Sequence, residues 1–306
     1  MIYLVSHKNP DTDSIVSSLV MKDFLKKSGQ KVKACRIGEV NKETAYVLDY
    51  LKEKAPVLIK NVAGKKLFLV DHNELEHGGK GMEKAEIVGV LDHHRLGGIE
   101  TVFPIFSRIE PLGSTSTLVF KMFKEKGFAL QKKQAALLLV GIISDTLKFV
   151  SPTTTKEDKK IAKELEKISS ENIDKLAAEM FKARFDMSGI NLKDLLTKDY
   201  KEFKLGNLVV GIAVWETPSI QGIFEKKTKI VEELKKIKKQ RKINLIYFGT
   251  LDILKRDCNL FIIGEEEKRV AEKAFGKKEK EDIIYLPGVI SRKKQIVPKF
   301  AKVLGK

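Results

Sequence analysis

Short apolar runs that stop at polar clusters set the rhythm of the first hundred residues: 2–5 before Ser6, 67–70 before Asp71, and 86–91 before Asp92. Runs of this length read as buried strands. Helical spacing lies between them. Over 15–27, Ile15, Leu19 and Phe24 share one side, Asp13 or Ser14 caps the start and Gly29 stops the helix. Alternation of strand and helix predicts an α/β fold, with a mainly parallel N-terminal sheet carrying helices on both faces. The stretch GSTSTLVFKMFKEKG, 113–127, opens on small residues and hydroxyls suited to presenting backbone N–H groups to an anion. KKQAALLLVGIISDT, 132–146, has the length and the Ala and Leu content of a helix.

Around 184–192 the text turns polar, RFDMSGINL, and predicts a hinge linker at 186–190 between domains 1–185 and 191–306. Beyond it, 201–217 reads as two strands about a Gly-Asn turn. A helix over about 220–242, strands at 243–251 and 259–264, a helix at 265–276 and a last strand near 283–288 follow. The C-terminal half is thus expected to be a smaller mixed-sheet α/β domain.

Composition narrows the class. The chain has 306 residues, 42% of them hydrophobic, enough to bury a sizeable core and to favour two domains. The longest apolar run, 135–143, is too short to cross a bilayer, and the start lacks a basic region followed by a long apolar stretch. A soluble, cytoplasmic protein with no membrane partner is expected. Cys35 and Cys258, the only cysteines, are far apart and lack metal-type spacing. A net charge of +17 points to an anionic partner. Much of that charge, however, lies in stretches such as EELKKIKKQRK, 232–242, which read as the wet face of a helix. The basic segments are poor in interleaved aromatics and carry no nucleic-acid reading motif, so nucleic acid is not the expected partner.

The scarce residue types carry the chemistry. Of five histidines, His7, His72, His93 and His94 sit beside an aspartate at the end of a predicted strand, and Asp145 ends another apolar segment. Ligands of open α/β sheets lie outside the carboxyl ends of the strands, so these separate stretches would converge on one crevice. Asp and His without Cys suit Mn²⁺, Mg²⁺, Co²⁺ or Zn²⁺. If Asp11, Asp13, Asp71 and Asp145 share one space, repulsion keeps some protonated unless cations are present, and two divalent ions balance four carboxylates. Such a pair, roughly 3.5–4 Å apart, can ionise a water for in-line attack on phosphorus. Hydrolysis of a phosphate ester or anhydride is the natural chemistry.

Each residue also has a plainer reading. An aspartate after a strand is more often a cap or turn former. Adjacent His93 and His94 cannot face the same way on a strand, so one is a ligand and the other contacts substrate or packs. His77, in EHGGKG, reads as a solvated loop residue. The joint placement of four clusters favours the metal. SRKKQ, 291–295, alone is a solvated basic run. Beside a metal site already neutralised by carboxylates, it offers an Arg fork and Lys point charges to a polyanion.

In this order, SHKNPDTDS, VDHNE, LDHHR, EPLGSTST, SDT and VSRKKQIVP resemble the family II, manganese-dependent inorganic pyrophosphatases of the DHH phosphoesterase superfamily, over nearly the whole chain. The resemblance implies that His7, Asp11, Asp13, Asp71, His93 and Asp145 bind two Mn²⁺ (or Co²⁺) ions, with Asp71 bridging. It implies that His94 contacts the substrate, that Asp92 orients an imidazole, and that Lys201, Arg292 and Lys293 bind phosphate. The implied reaction is hydrolysis of pyrophosphate to two phosphates by a hydroxide activated between the metals, in a cleft between two domains, with an additional Mg²⁺ arriving with the substrate. A homodimer is implied as well. Exopolyphosphatases and oligonucleotide phosphatases of the same superfamily are the alternative.

Overall fold

Strand β1 (Ile2–Val5) occupies the middle of a sheet, and the chain leaves it through α1 (Thr12–Lys27), β2 (Val32–Arg36), α2 (Lys42–Tyr50) and β3 (Val57–Leu58). It then crosses back to lay β4 (Lys66–Val70), β5 (Glu86–Asp92) and β6 (Phe106–Ile109) along the other side of β1. The six strands run in the order β3-β2-β1-β4-β5-β6, and every pairing is parallel. The reversal of winding falls between β1 and β4, where an open parallel sheet splays a crevice beyond its carboxyl edge. Four helices complete this part: α3 (Thr115–Glu125), α4 (Lys132–Asp145), α5 (Lys156–Ser169) and α6 (Ile173–Arg184).

The structure is a computed structural model that describes every residue except Met187, Ile190, Pro218, Ser219, Ile253, Leu254 and Lys306. Two compact units divide the chain, Met1–Arg184 and Phe185–Lys306. Positions 187 and 190 of the expected linker 186–190 lie outside the described residues.

In the first unit, side chains of one sheet face, among them Val5, Leu67 and Leu69, bury against Val62 and Met82. That face is closed by interstrand segments that include the short 3₁₀ turns Leu75–His77 and Met82–Lys84. Ile15 and Leu19 of α1 pack with Ala34 and Leu48 in a separate cluster. Helix α4 is buried from Gln134 to Ser144, because α1, α3 and α5 all pack on it. A helix enclosed on several sides loses the polar stripe that normally marks its period.

The second unit begins with α7 (Leu192–Thr197) and the antiparallel pair β7 (Tyr200–Leu205) and β8 (Leu208–Glu216). There follow α8 (Gln221–Phe224), α9 (Lys227–Arg241), β9 (Leu245–Asp252), β10 (Asp257–Phe261), α10 (Glu265–Phe275), β11 (Ile283–Pro287) and α11 (Val297–Leu304). A π-helical turn, Arg292–Ile296, leads into α11. The sheet order is β11-β10-β9-β8-β7, parallel only between β8 and β9, which makes it mixed as expected. The single helix expected over 220–242 is two, since the Lys226 N–H turns back to Ile223 O before α9 starts. Ile230, Leu234 and Ile237 are the buried side of α9, leaving most of its lysines to water. Val210, Ile212 and Val214 of β8 join a cluster with Tyr247 and Phe300 on one face, while Ala213 joins Ile230, Leu234 and Phe248 on the other. Among the described residues, no helix is long and apolar enough to cross a membrane.

Candidate metal centre

His7 and Asp71 follow the carboxyl ends of β1 and β4, the two strands that flank the change of winding. Asp71 sits in the left-handed region (φ 67°) while its N–H still donates to Leu91 O at 2.9 Å. A non-glycine residue there costs about 1–2 kcal/mol, and aspartate is among those that tolerate it. The turn swings its carboxylate inward, where it is buried. Asp11 uses Oδ1 to cap α1, accepting the Ser14 N–H at 3.0 Å, while Oδ2 lies 3.7 Å from His7 Nε2. Cap and candidate ligand are thus two oxygens of one group.

Among the described residues, three groups have ligand atoms within 4.8 Å of one another: His7, Asp11 and Asp71; Asp13, Asp71, His93 and Asp145; and Asp71, His93 and His94. Asp71 is common to all three. His7 Nε2 is 3.7 Å from Asp71 Oδ2, and His93 Nε2 is 3.4 Å from Asp71 Oδ1 and 3.2 Å from Asp145 Oδ2. His93 Nδ1 lies 2.9 Å from Leu112 O, which makes Nδ1 the donor and turns Nε2 toward the carboxylates.

The start of α3 holds the acidic side of the cluster. Thr115 N–H donates to Asp13 Oδ2 at 2.6 Å, and Ser116 gives Asp13 Oδ1 both its N–H (3.0 Å) and its hydroxyl (2.5 Å). Thr115 Oγ1 donates to Asp71 Oδ1 at 2.7 Å. The anion met by the GSTST backbone is therefore a carboxylate of the chain itself. The donors are legible in the sequence, and this acceptor is not.

Electrostatics show the strain of gathering these groups. Burial pushes Asp13 up to about 7, and the neighbouring Asp71 charge adds to it. Burial and the charges of Asp11 and Asp13 likewise hold Asp145 well above the usual carboxylate range. Burial works the same way on Asp71, but the imidazoles of His7 and His93 beside it win and drive it down. Burial disfavours the charged imidazoles, yet Asp11 and Asp71 lift His7 to about 10, and Asp145 and Asp71 lift His93 to about 12. The side chains alone thus balance one another by retaining protons.

A divalent cation suits this donor set on two further grounds. Asp71 Oδ2 and His93 Nε2 are buried with ion-pair contacts but no well-aligned hydrogen bond, a deficit that a cation would offset. Oxygen and imidazole donors without thiolate fit Mn²⁺ or Co²⁺.

The centre opens into a cleft of about 470 Å³ whose walls include His7, Asp11, Asp71, Asn73, His94 and Arg95. His94 is half exposed there, its Nδ1 2.8 Å from Asp92 Oδ1, and that hydrogen bond raises its pKa. Asp92 also accepts the N–H groups of His93 and His94 and the Asn73 amide at 2.5 Å. His72 is buried beside the cluster with its ring edge-on to His7, and burial lowers it to about 4, keeping it neutral. His77 is exposed, 3.6 Å from Glu74.

In the second unit, Lys201 lies exposed on β7 and Lys293 exposed in the π-helical turn. Ser291 Oγ accepts the Lys294 N–H, and Gln295 Oε1 accepts the N–H groups of Ile290 and Ser291, so the outer letters of SRKKQ shape the turn. Arg292 is buried, with its guanidinium donating to Asp199 Oδ1 (2.6 Å), Asp199 O (2.6 Å) and Ile212 O (3.1 Å).

Comparison with known proteins agrees with this geometry. Residues 1–142 match the DHH family N-terminal domain and 178–303 the DHHA2 domain. The chain is 38% identical to a manganese-dependent inorganic pyrophosphatase of Methanothrix thermoacetophila, covering 97% of this chain and 96% of that one. It is equally similar, with the same coverage, to a "Probable manganese-dependent inorganic pyrophosphatase" of Clostridium acetobutylicum. A crystal structure of a Methanococcus jannaschii "putative family II inorganic pyrophosphatase" is 34% identical over 99% of both chains, with a TM-score of 0.66. With its two matched domains, its six-stranded parallel sheet and a cluster of carboxylates and imidazoles at the sheet's carboxyl edge, the chain belongs to the family of manganese-dependent inorganic pyrophosphatases.

Proposed function

We propose that this chain hydrolyses inorganic pyrophosphate to two phosphates. One observation carries the reading: Asp71 is shared by every ligand group of the centre, as a carboxylate spanning two adjacent cations would be. His7, Asp11 and Asp71 would hold one ion, and Asp13, Asp71, His93 and Asp145 the other. A bound pair of Mn²⁺ or Co²⁺ supplies the charge that acidifies a water and offsets the phosphoryl oxygens.

The remaining work belongs to the protein. Thr115 and Ser116 hold Asp13 and Asp71 in place, so the ligands are set before substrate enters. His94, with Nδ1 donating to Asp92 and its pKa raised by that bond, can hold a second proton on Nε2 and in that charged form donate to a phosphoryl oxygen. Lys201, Arg292 and Lys293 would bind the phosphate groups of pyrophosphate taken as its Mg²⁺ complex. Arg292 would do so by exchanging part of its grip on Asp199 for substrate oxygens. A cytoplasmic homodimer completes the proposal.

The test is phosphate release from pyrophosphate, tripolyphosphate and short oligonucleotides, each with Mn²⁺, Co²⁺ or Mg²⁺ and with a chelated control. Pyrophosphate should be the preferred substrate with Mn²⁺ or Co²⁺. Release from pyrophosphate no greater than the chelated control overturns the reading, and faster turnover of the longer anions reassigns the substrate.

A further inference from the structure

Asp158, in the first turn of α5, is a fully buried carboxylate outside every ligand group of the centre. Part of its setting is ordinary helix capping. Oδ2 accepts the Thr155 N–H (2.8 Å) and hydroxyl (2.6 Å), and the Asp158 N–H returns to Thr155 Oγ1. Capping does not account for its other two bonds. Oδ2 also takes the Gly113 N–H at 2.9 Å, and Oδ1 takes the Thr117 hydroxyl at 2.6 Å, partners more than forty residues away in sequence.

Gly113 and Thr117 bracket the segment that touches the candidate ligands. Between them, Thr115 and Ser116 hold Asp13, and Thr115 holds Asp71. Just before them, Leu112 O receives His93 Nδ1. The seat is tight: a Cβ at Gly113 would lie 2.7 Å from Asp158 Oδ2 and 2.8 Å from Thr146 Cγ2, beside Asp145. A buried carboxylate that grips both the entry and the first turn of α3 fixes that segment more firmly than a single contact could.

We infer that Asp158 is a positioning residue of the metal centre, setting the 112–117 segment so that its donors and its Leu112 carbonyl orient Asp13, Asp71 and His93. The inference rests on the reading that those three residues hold metal.

The experiment measures Mn²⁺ affinity from the electron paramagnetic resonance signal of the free ion, well below the unfolding temperature, with circular dichroism to verify the fold. Asp158→Asn keeps the shape but gives up the charge and turns one of the two acceptor oxygens into a donor. Thr117→Val removes one donor without changing size, and Thr117→Ser restores it. Affinity should fall about 10- to 100-fold in Asp158→Asn and in Thr117→Val, and return in Thr117→Ser. Should Asp158→Asn fail to fold, the Thr117 pair decides. Wild-type affinity in Thr117→Val or a folded Asp158→Asn, with only the melting temperature lowered, would reduce Asp158 to a helix cap and overturn the inference alone. Wild-type protein that takes up no Mn²⁺ would overturn the metal centre and this inference together.

Discussion

Gly141 leaves no room between helix α4 and Asp13: a Cβ there would stand 2.6 Å from Asp13 Oδ1 and would strike Ser116 Oγ. A glycine inside a helix costs about 1 kcal/mol relative to alanine, so propensity favours a replacement that geometry forbids. In Gly141→Ala the carboxylate and the serine must move apart. Mn²⁺ affinity, measured by titration calorimetry, should drop roughly 10-fold or more even where the helix itself gains stability.

Asp71→Asn tests the shared carboxylate. Removing its charge touches every ligand group at once, so bound metal and activity should be lost together, each by about 100-fold or more. Elemental analysis of purified protein beside the phosphate-release assay measures both. Wild-type metal content in an inactive variant would deny Asp71 its bridging part.

Glu43, outside the ligand groups but close to Asp11 and Ser144, offers a pH test. It is buried, with Ser144 Oγ 3.2 Å and Arg184 Nη1 3.4 Å from Oε2, and burial pushes its pKa from 4.5 to about 7 despite the arginine. Between those two values the folded protein binds more protons than the unfolded chain, so stability contributed by Glu43 declines as pH rises through the window. Glu43→Gln removes that proton. The unfolding free energy of the variant should gain on the wild type from pH 4.5 to pH 7, by on the order of 2–3 kcal/mol, then level off. Urea titrations across the window would show it, and a flat difference would exclude the shift.

The second unit is tested through its core. Phe300 stacks on Tyr247 with ring centroids 4.4 Å apart, both fully buried. Phe300→Ala should cost about 3–5 kcal/mol in denaturant unfolding. Where the variant remains folded, Mn²⁺ uptake should stay at the wild-type level, because the ligand groups all belong to the first unit.

Much of the layout is legible in the sequence because catalysis of this kind needs scarce residue types at particular strand ends. Apolar runs broken by Asp and His reveal β1, β4 and β5, and a parallel sheet necessarily gathers their carboxyl ends. Division of labour within a side chain is not legible. Nothing local says that Asp11 caps with one oxygen and faces His7 with the other, or that the donors of Thr115 and Ser116 answer to Asp13 a hundred residues earlier. Arg292 is similar. Its basic neighbours suggest a waiting phosphate clamp, whereas a distant partner, Asp199, holds the guanidinium. The break before α9 was hidden because the apolar spacing on either side of 225–226 stays helical.

The candidate ligands run from His7, just after β1, to Asp145, the last residue of α4. A nascent polypeptide therefore cannot bring these candidate ligands together until α4 has left the ribosome. Manganese bound at the assembled centre would add resistance to unfolding that grows with the logarithm of the free ion's concentration. Cells starved of that element should accordingly hold this protein in a form that melts at lower temperature and is cleared sooner by proteases.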